Sequence, residues 1–334
     1  MNIGEKDLLA ALQCGIPLAP RPFSVLAEEL GCGESDVIDF IARCREKGIV
    51  RRFGAVFDTR RLGYRSALCA VQAPPEELDA VAAAITVLQG VTHCYVRERF
   101  DFASGAVCAS AMPNLWFTLS CPKDVFETMV DEVRGRLEPY PVTVLPATRR
   151  YKVDVVFGAA TRARDESVDD DGAISGQDRA IIRVMQGDTD VRPDYFAALS
   201  ARAGQKEWDF LSRLEMWRRS GRLKRIGLLL AHRQAGWTAN GMCCWRIEGD
   251  TTSFGRALSA LDEVTHCYER PMAPEFPYNL FAMVHARSAA EAAAAFNNIE
   301  AAAGLSGGVM LVSTKEHKKT SMTFFADDGH LSGT

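Results

Sequence analysis

Apolar residues recur at helical spacing over 5–13, 22–30 and 34–47, with Val37, Phe40, Ile41 and Cys44 forming the stripe of the third segment. Pro20, Pro22 and the Gly31–Gly33 turn punctuate them. A strand-like run, GIVRRFGAVF, follows, so residues 1–60 predict a winged helix-turn-helix. Beyond it the pattern predicts strands near 64–73, 90–99, 114–121 and 142–150, and helices near 75–88 and 122–138. That βαββαβ order is a ferredoxin-like α+β domain over 61–157.

The whole pattern then runs again. Helices are expected at 177–188, 193–201 and 205–220, followed by GRLKRIGLLL, which gives a second winged helix-turn-helix over 177–233. Strands near 237–247, 264–270, 278–286 and 308–315, with helices near 251–262 and 288–302, give a second ferredoxin-like domain over 234–325. Arg51-Arg52-Phe53-Gly54 aligns with Lys224-Arg225-Ile226-Gly227, and Val91-Thr92-His93-Cys94-Tyr95 with Val264-Thr265-His266-Cys267-Tyr268, at one common offset. Thr148–Lys152 aligns with Thr314–Lys318, and the first half carries a short insertion around Arg99–Ser110. Two copies of so long a period indicate a tandem duplication and a pseudo-twofold pairing of halves, not a solenoid. The pattern leaves room for a homodimer. The polar, acidic stretch 158–176 reads as a linker and 326–334 as a tail.

Composition narrows the class. With 47% hydrophobic and 25% charged residues the balance is that of an ordinary globular protein, and a net charge of −4 argues against bulk affinity for nucleic acid. The opening MNIGEKDLLAALQ lacks the basic and apolar regions of a signal peptide, and no apolar run is long enough to span a bilayer. Ten cysteines without a C-x-x-C pair are expected as reduced thiols, which together with the absent leader predicts a cytoplasmic address and no membrane partner. Cys243, Cys244 and Cys267 with several histidines raise the question of a metal. Adjacent cysteines ligate one ion poorly and zinc spacings are absent, so no metal site is expected.

Strand periodicity places Val264, His266, Tyr268 and Arg270 on one face, and Val91, His93, Tyr95 and Arg97 on another. An imidazole, a phenol and a guanidinium in a row suit an anionic, partly aromatic ligand, with arginine clamping carboxylates and histidine moving a proton. One such row alone reads better as a sheet face with a hydrogen-bonded histidine; its recurrence shifts the reading towards a ligand, although duplication preserves structural residues too. The second half carries His232, His266, His285 and His317 where the first has Thr59, His93, Ser120 and Tyr151, so acid–base chemistry is expected in the second. Basic pairs recurring in both halves, Arg149-Arg150 and Lys224-Arg225 among them, make a polyanionic ligand credible.

The helix-turn-helix frame raises a transcription factor as the alternative. Glu34, Asp36 and Asp39 open the first recognition-type helix, and Glu207, Asp209 and Glu215 stud the second, where negative charge repels DNA. The winged-helix plus ferredoxin-like pairing resembles AsnC/Lrp-type proteins. RRFGAVFDTRRLGY, VTHCYVR, KRIGLLLAHRQAGW and VTHCYERPMAPEFPYNLFAMVH are similar to siroheme decarboxylases, a branch of that superfamily, over nearly the whole chain and in its fused two-half form. The resemblance implies removal of the C12 and C18 acetate carboxyls of siroheme to give didecarboxysiroheme, on the way to heme d1 or, by an alternative route, heme. It implies no added cofactor, the iron being part of the substrate. On this reading His232 and His266 are the acid–base pair. Arg225, Arg233, Tyr268, Arg270, His285 and Lys318 bind substrate, with His93, Tyr95 and Arg97 as a weaker or contributing set. A ligand-responsive AsnC/Lrp-like regulator is the other expectation.

Overall fold

The computed structural model describes residues 4–153, 172–230 and 239–326. In chain order the first half runs α1 (Glu5–Cys14), α2 (Pro22–Leu30), α3 (Glu34–Glu46), β1 (Val50–Phe57), β2 (Tyr64–Val71), α4 (Leu78–Thr86), β3 (Val91–Asp101), β4 (Ala106–Cys108), β5 (Leu115–Pro122), α5 (Phe126–Arg136), β6 (Val142–Pro146) and β7 (Arg149–Val153). The second half runs α6 (Gly176–Met185), α7 (Tyr195–Arg202), α8 (Glu207–Arg219), β8 (Leu223–Leu230), β9 (Ala239–Trp245), α9 (Thr252–Ala260), β10 (Val264–Glu269), β11 (Leu280–Ala286), α10 (Ala289–Ala303) and β12 (Val309–Lys319). These elements form two compact units, and each unit takes like pieces from both halves.

The first unit holds both helix-turn-helix groups. Pro22 opens α2, where its missing N–H costs nothing, and Gly31 closes it in the left-handed region at φ 71°. Ser175 and Asp178 cap the start of α6 reciprocally. The strand after each three-helix group finds its partner in the other half: β1 pairs antiparallel with β8, Gly54 opposite Gly227. Both glycines are required by close approach. A Cβ on Gly227 would run into the Leu12 carbonyl at the end of α1, and one on Gly54 into the Gly187 carbonyl just past α6. Each half's strand is thus covered by the other half's first helix. Phe23, Phe53 and Tyr195, with ring centroids 5.6–5.8 Å apart, tie the halves together.

The second unit is a ten-stranded sheet in the order β6-β2-β5-β3-β12-β9-β11-β10-β7, with β4 beside β3. Helices α4 and α5 bury Val81, Ile85, Phe126 and Val130 against Cys69, Val91 and Phe117; α10 does the same with Phe296 and Ile299 against Trp245, Cys267 and Leu280. A third core takes Trp116 and Leu145 from the first half and Met242, Cys244, Phe281 and Leu311 from the second, on the face away from the helices. The strand expected at 142–150 is two strands. β6 stays on β2, whereas β7 leaves to pair with β10 of the second half. The exchange is reciprocal, because β12 pairs with β9 through Val309–Val312 and with β3 through Leu311–Lys319. The insertion in the first half forms the β3–β4 hairpin, whose Phe102 ring lies 4.8 Å from Phe296 of α10. Among the described residues no helix is long and apolar enough to cross a membrane.

Candidate functional site

Both expected rows exist, with one correction. A bulge shifts the pairing between Val91 and His93 on β3, and between Val264 and His266 on β10. Val91 and Val264 therefore join Cys94 and Cys267 in the cores beneath the helices and do not share the histidines' face. The row on β3 is His93, Tyr95 and Arg97: the imidazole and phenol centroids are 6.3 Å apart, and the guanidinium lies 5.4 Å over the same phenol. The row on β10 is His266, Tyr268 and Arg270, with separations of 6.1 and 5.0 Å, and Phe281 takes the guanidinium from a second side at 5.4 Å. The preceding threonine meets each imidazole Nδ1, at 3.0 Å for Thr92 and His93 and at 3.1 Å for Thr265 and His266. The bulge that diverts the valine also brings that hydroxyl to the ring.

The rows differ in what surrounds them. Tyr95 and Arg97 are only 8% and 6% exposed, whereas Tyr268 and Arg270 are half-buried; His93 and His266 are half-buried alike. Burial lowers Arg97 and Arg270 to about 10, which leaves both cationic at neutral pH. Neither has a carboxylate partner among the described residues. Arg270 donates Nη1 to the Leu145 carbonyl at 2.5 Å and keeps a buried Nε unpaired; Arg97 keeps Nε and Nη1 unpaired. His285 lies on the row's side of β11, beyond Met283, and pairs with Asn240 of β9. At the matching place in the first half Ser66 and Ser120 satisfy each other at 2.7 Å, so no proton-exchanging group stands there.

The strand exchange decides which side chains flank each row. Arg150 pairs opposite Tyr268 and Val153 opposite His266; Glu316 pairs opposite Tyr95 and Lys319 opposite His93. Lys318 is a second correction. It pairs with Cys94 of the first half and donates to the Thr86 and Leu88 carbonyls at 2.6 and 2.9 Å, at the end of α4. Its ammonium is on the helix side of the sheet, away from both rows, and burial lowers its pKa. Lys152 repeats this contact with the Leu261 carbonyl at 2.8 Å, so the lysine pins a helix end in each half. Arg225 belongs to the helix-turn-helix unit, on β8 opposite Val56, and is a member of neither row. His232 and Arg233 lie outside the described residues. Cys243 and Cys244 project to opposite faces of β9, into different cores, with thiol pKa values raised by burial.

Asn240 and Arg150 are the neighbours that a reading of single strands misses. The signal for Arg150 was the recurring basic pair, but its place depends on a crossing between halves.

The comparisons with known proteins agree with this architecture. Residues 61–152 and 234–318 match the AsnC-like ligand binding domain, and residues 5–51 the siroheme decarboxylase NirDL-like HTH domain. The siroheme decarboxylase of Hydrogenobacter thermophilus is 33% identical over 96% of this chain and 95% of its own. The siroheme decarboxylase NirDL subunit of Paracoccus denitrificans is 34% identical over 87% of this chain and 88% of its own. The crystal structure of the siroheme decarboxylase NirDL in complex with an iron-uroporphyrin III analogue superposes with a TM-score of 0.73 at 30% identity, covering 97% of this chain and 95% of that one. The chain belongs to the siroheme decarboxylase family.

Proposed function

We propose that the protein removes the C12 and C18 acetate carboxyls of siroheme as CO₂, giving didecarboxysiroheme for heme d1 or heme synthesis, with the chemistry at the second-half row. The observation that carries this reading is the half-buried His266–Tyr268–Arg270 row, whose cationic arginine has no carboxylate partner among the described residues. A half-buried guanidinium with a buried, unpaired Nε and no counter-charge is costly, and a substrate carboxylate offsets that cost when it docks. The phenol and Phe281 offer flat apolar surface to a macrocycle.

In the reaction the bond between the acetate methylene and its carboxylate breaks and CO₂ departs. The electron pair left on the methylene spreads into the conjugated ring until a proton converts the group to a methyl. Each CO₂ released therefore consumes one proton, and His266 is the donor in this reading. His232 is its proposed partner on sequence grounds, and His285 beside Asn240 a secondary group on the same face. No further cofactor is invoked, since the iron arrives with the substrate.

The regulator alternative finds less support. Arg21 on the way into α2 is held by Glu34 of α3, and Arg218 and Arg219 of α8 are bound to Glu215 on their own helix. Anaerobic incubation with siroheme followed by mass analysis tests the proposal. The expected product is lighter by two CO₂ molecules; unchanged siroheme together with tight binding to a DNA operator would sink it.

A further inference from the structure

The strand exchange gives the two rows opposite charge at one equivalent position. Arg150 sits directly across from Tyr268, and in an antiparallel pair directly opposed side chains project to one face. The pairing slips between Tyr268 and Cys267, so Tyr151 is an extra residue on β7. Tyr151 and Lys152 both turn to the helix side, where they meet Thr251 and the Leu261 carbonyl, and Arg150 is left on the side of the row. Its charge reaches Arg270 and repels it. Arg149, one residue earlier, is tied up by Tyr151, Asp250 and Thr252. The Arg150 side chain has no hydrogen bond or ion pair among the described residues.

In the first half the same position is Glu316, across from Tyr95 on β12. Lys315 before it is tied to Asp79 at 2.6 and 2.8 Å, as Arg149 is to Asp250, so the local arrangement repeats with the sign of the next residue reversed. Lys319 pairs opposite His93, which gives the first row both signs at its flank. On the second row Arg150 pairs opposite Tyr268, and the backbone of Val153 pairs opposite His266.

Resting on the siroheme reading, we propose that Arg150, supplied by the first half, is a carboxylate-binding residue of the second-half row. Glu316 at the matching position makes the first-half row unsuited to an anionic ligand. Two unscreened arginines on one face hold a carboxylate between them, whereas a glutamate repels it. The working site is then built from both halves.

Titration of iron uroporphyrin III, followed by its Soret band, and anaerobic siroheme turnover together test this. Arg150→Gln should raise Kd and KM by about 10–100-fold with kcat within about threefold, and Arg150→Lys should recover part of the loss. Glu316→Gln should leave Kd within about twofold, as expected of a residue outside the binding set. Near-UV circular dichroism identifies a misfolded variant, in which case the lysine variant decides. An Arg150→Gln protein that binds like wild type, or a Glu316→Gln loss matching that of Arg150→Gln, overturns the proposal. Wild-type protein that binds the porphyrin without converting siroheme refutes the function, while the binding comparison still judges Arg150.

Discussion

The rows on β3 and β10 are copies of one motif, and their surroundings have diverged. Each has an imidazole held by the preceding threonine, a phenol, and a guanidinium over the ring. The first has its phenol and guanidinium buried, is backed by two serines that satisfy each other, and is flanked by Glu316 and Lys319. The second keeps its phenol and guanidinium half-buried, is backed by His285 and Asn240, and is flanked by Arg150. Duplication preserved the scaffold while the neighbours of the two rows diverged, and that divergence is the ground for expecting only one of them to work. A motif present twice is therefore weak evidence for two sites.

The largest expected effect separates the histidines. His266→Ala should lower siroheme turnover by about 10²–10⁴-fold, the usual contribution of a positioned proton donor, while His93→Ala stays within about twofold. Equal losses at both would show that the two rows work alike. The arginines come next. Arg270→Met should weaken iron uroporphyrin III binding by about 10–100-fold, because a charge-assisted contact is lost. Arg97→Met should leave binding intact and hold or raise the melting temperature, since it removes a buried unpaired charge.

A smaller contrast lies in the helix-turn-helix unit. Asp178 is 1% exposed and accepts two hydrogen bonds from Arg213 at 2.6 and 2.7 Å. In the first half Asp7 is exposed and Phe40 stands at the place of Arg213 in its helix. Burial pushes the Asp178 carboxyl up, but Arg213 and the Ser175 cap outweigh it and hold the pKa below the usual value. A depressed folded-state pKa contributes stability above the unfolded value of about 3.9 and loses it as pH falls through the folded one. Asp178→Asn should thus cost about 1.5–3 kcal/mol at neutral pH in denaturant unfolding, and the difference should shrink in acid. Asp7→Asn should change stability by less than about 0.5 kcal/mol.

Much of this was legible in the sequence because it is local. Helices α2 and α3 follow directly from the spacing of Phe23, Leu26, Val37, Phe40 and Ile41 and from the glycines at their ends. The row residues follow from strand alternation, and their bulge does not, since which residue is extra depends on the neighbouring strand. Lys318 was misplaced for a related reason. Aligning it with Lys152 was sound, but both lysines cross to the other half, and repeat alignment carries no information about which copy a strand joins. The same crossing hid Arg150 and Glu316, whose difference in sign is plain in the alignment once their positions are known.

On the proposed reading the second-half row is the one that takes the porphyrin. A crystal structure of this protein with iron uroporphyrin III measures that directly. The expected result is the macrocycle against Tyr268, with carboxylates on Arg270 and Arg150 and His266 beside an acetate. A macrocycle seated on His93, Tyr95 and Arg97 would contradict it.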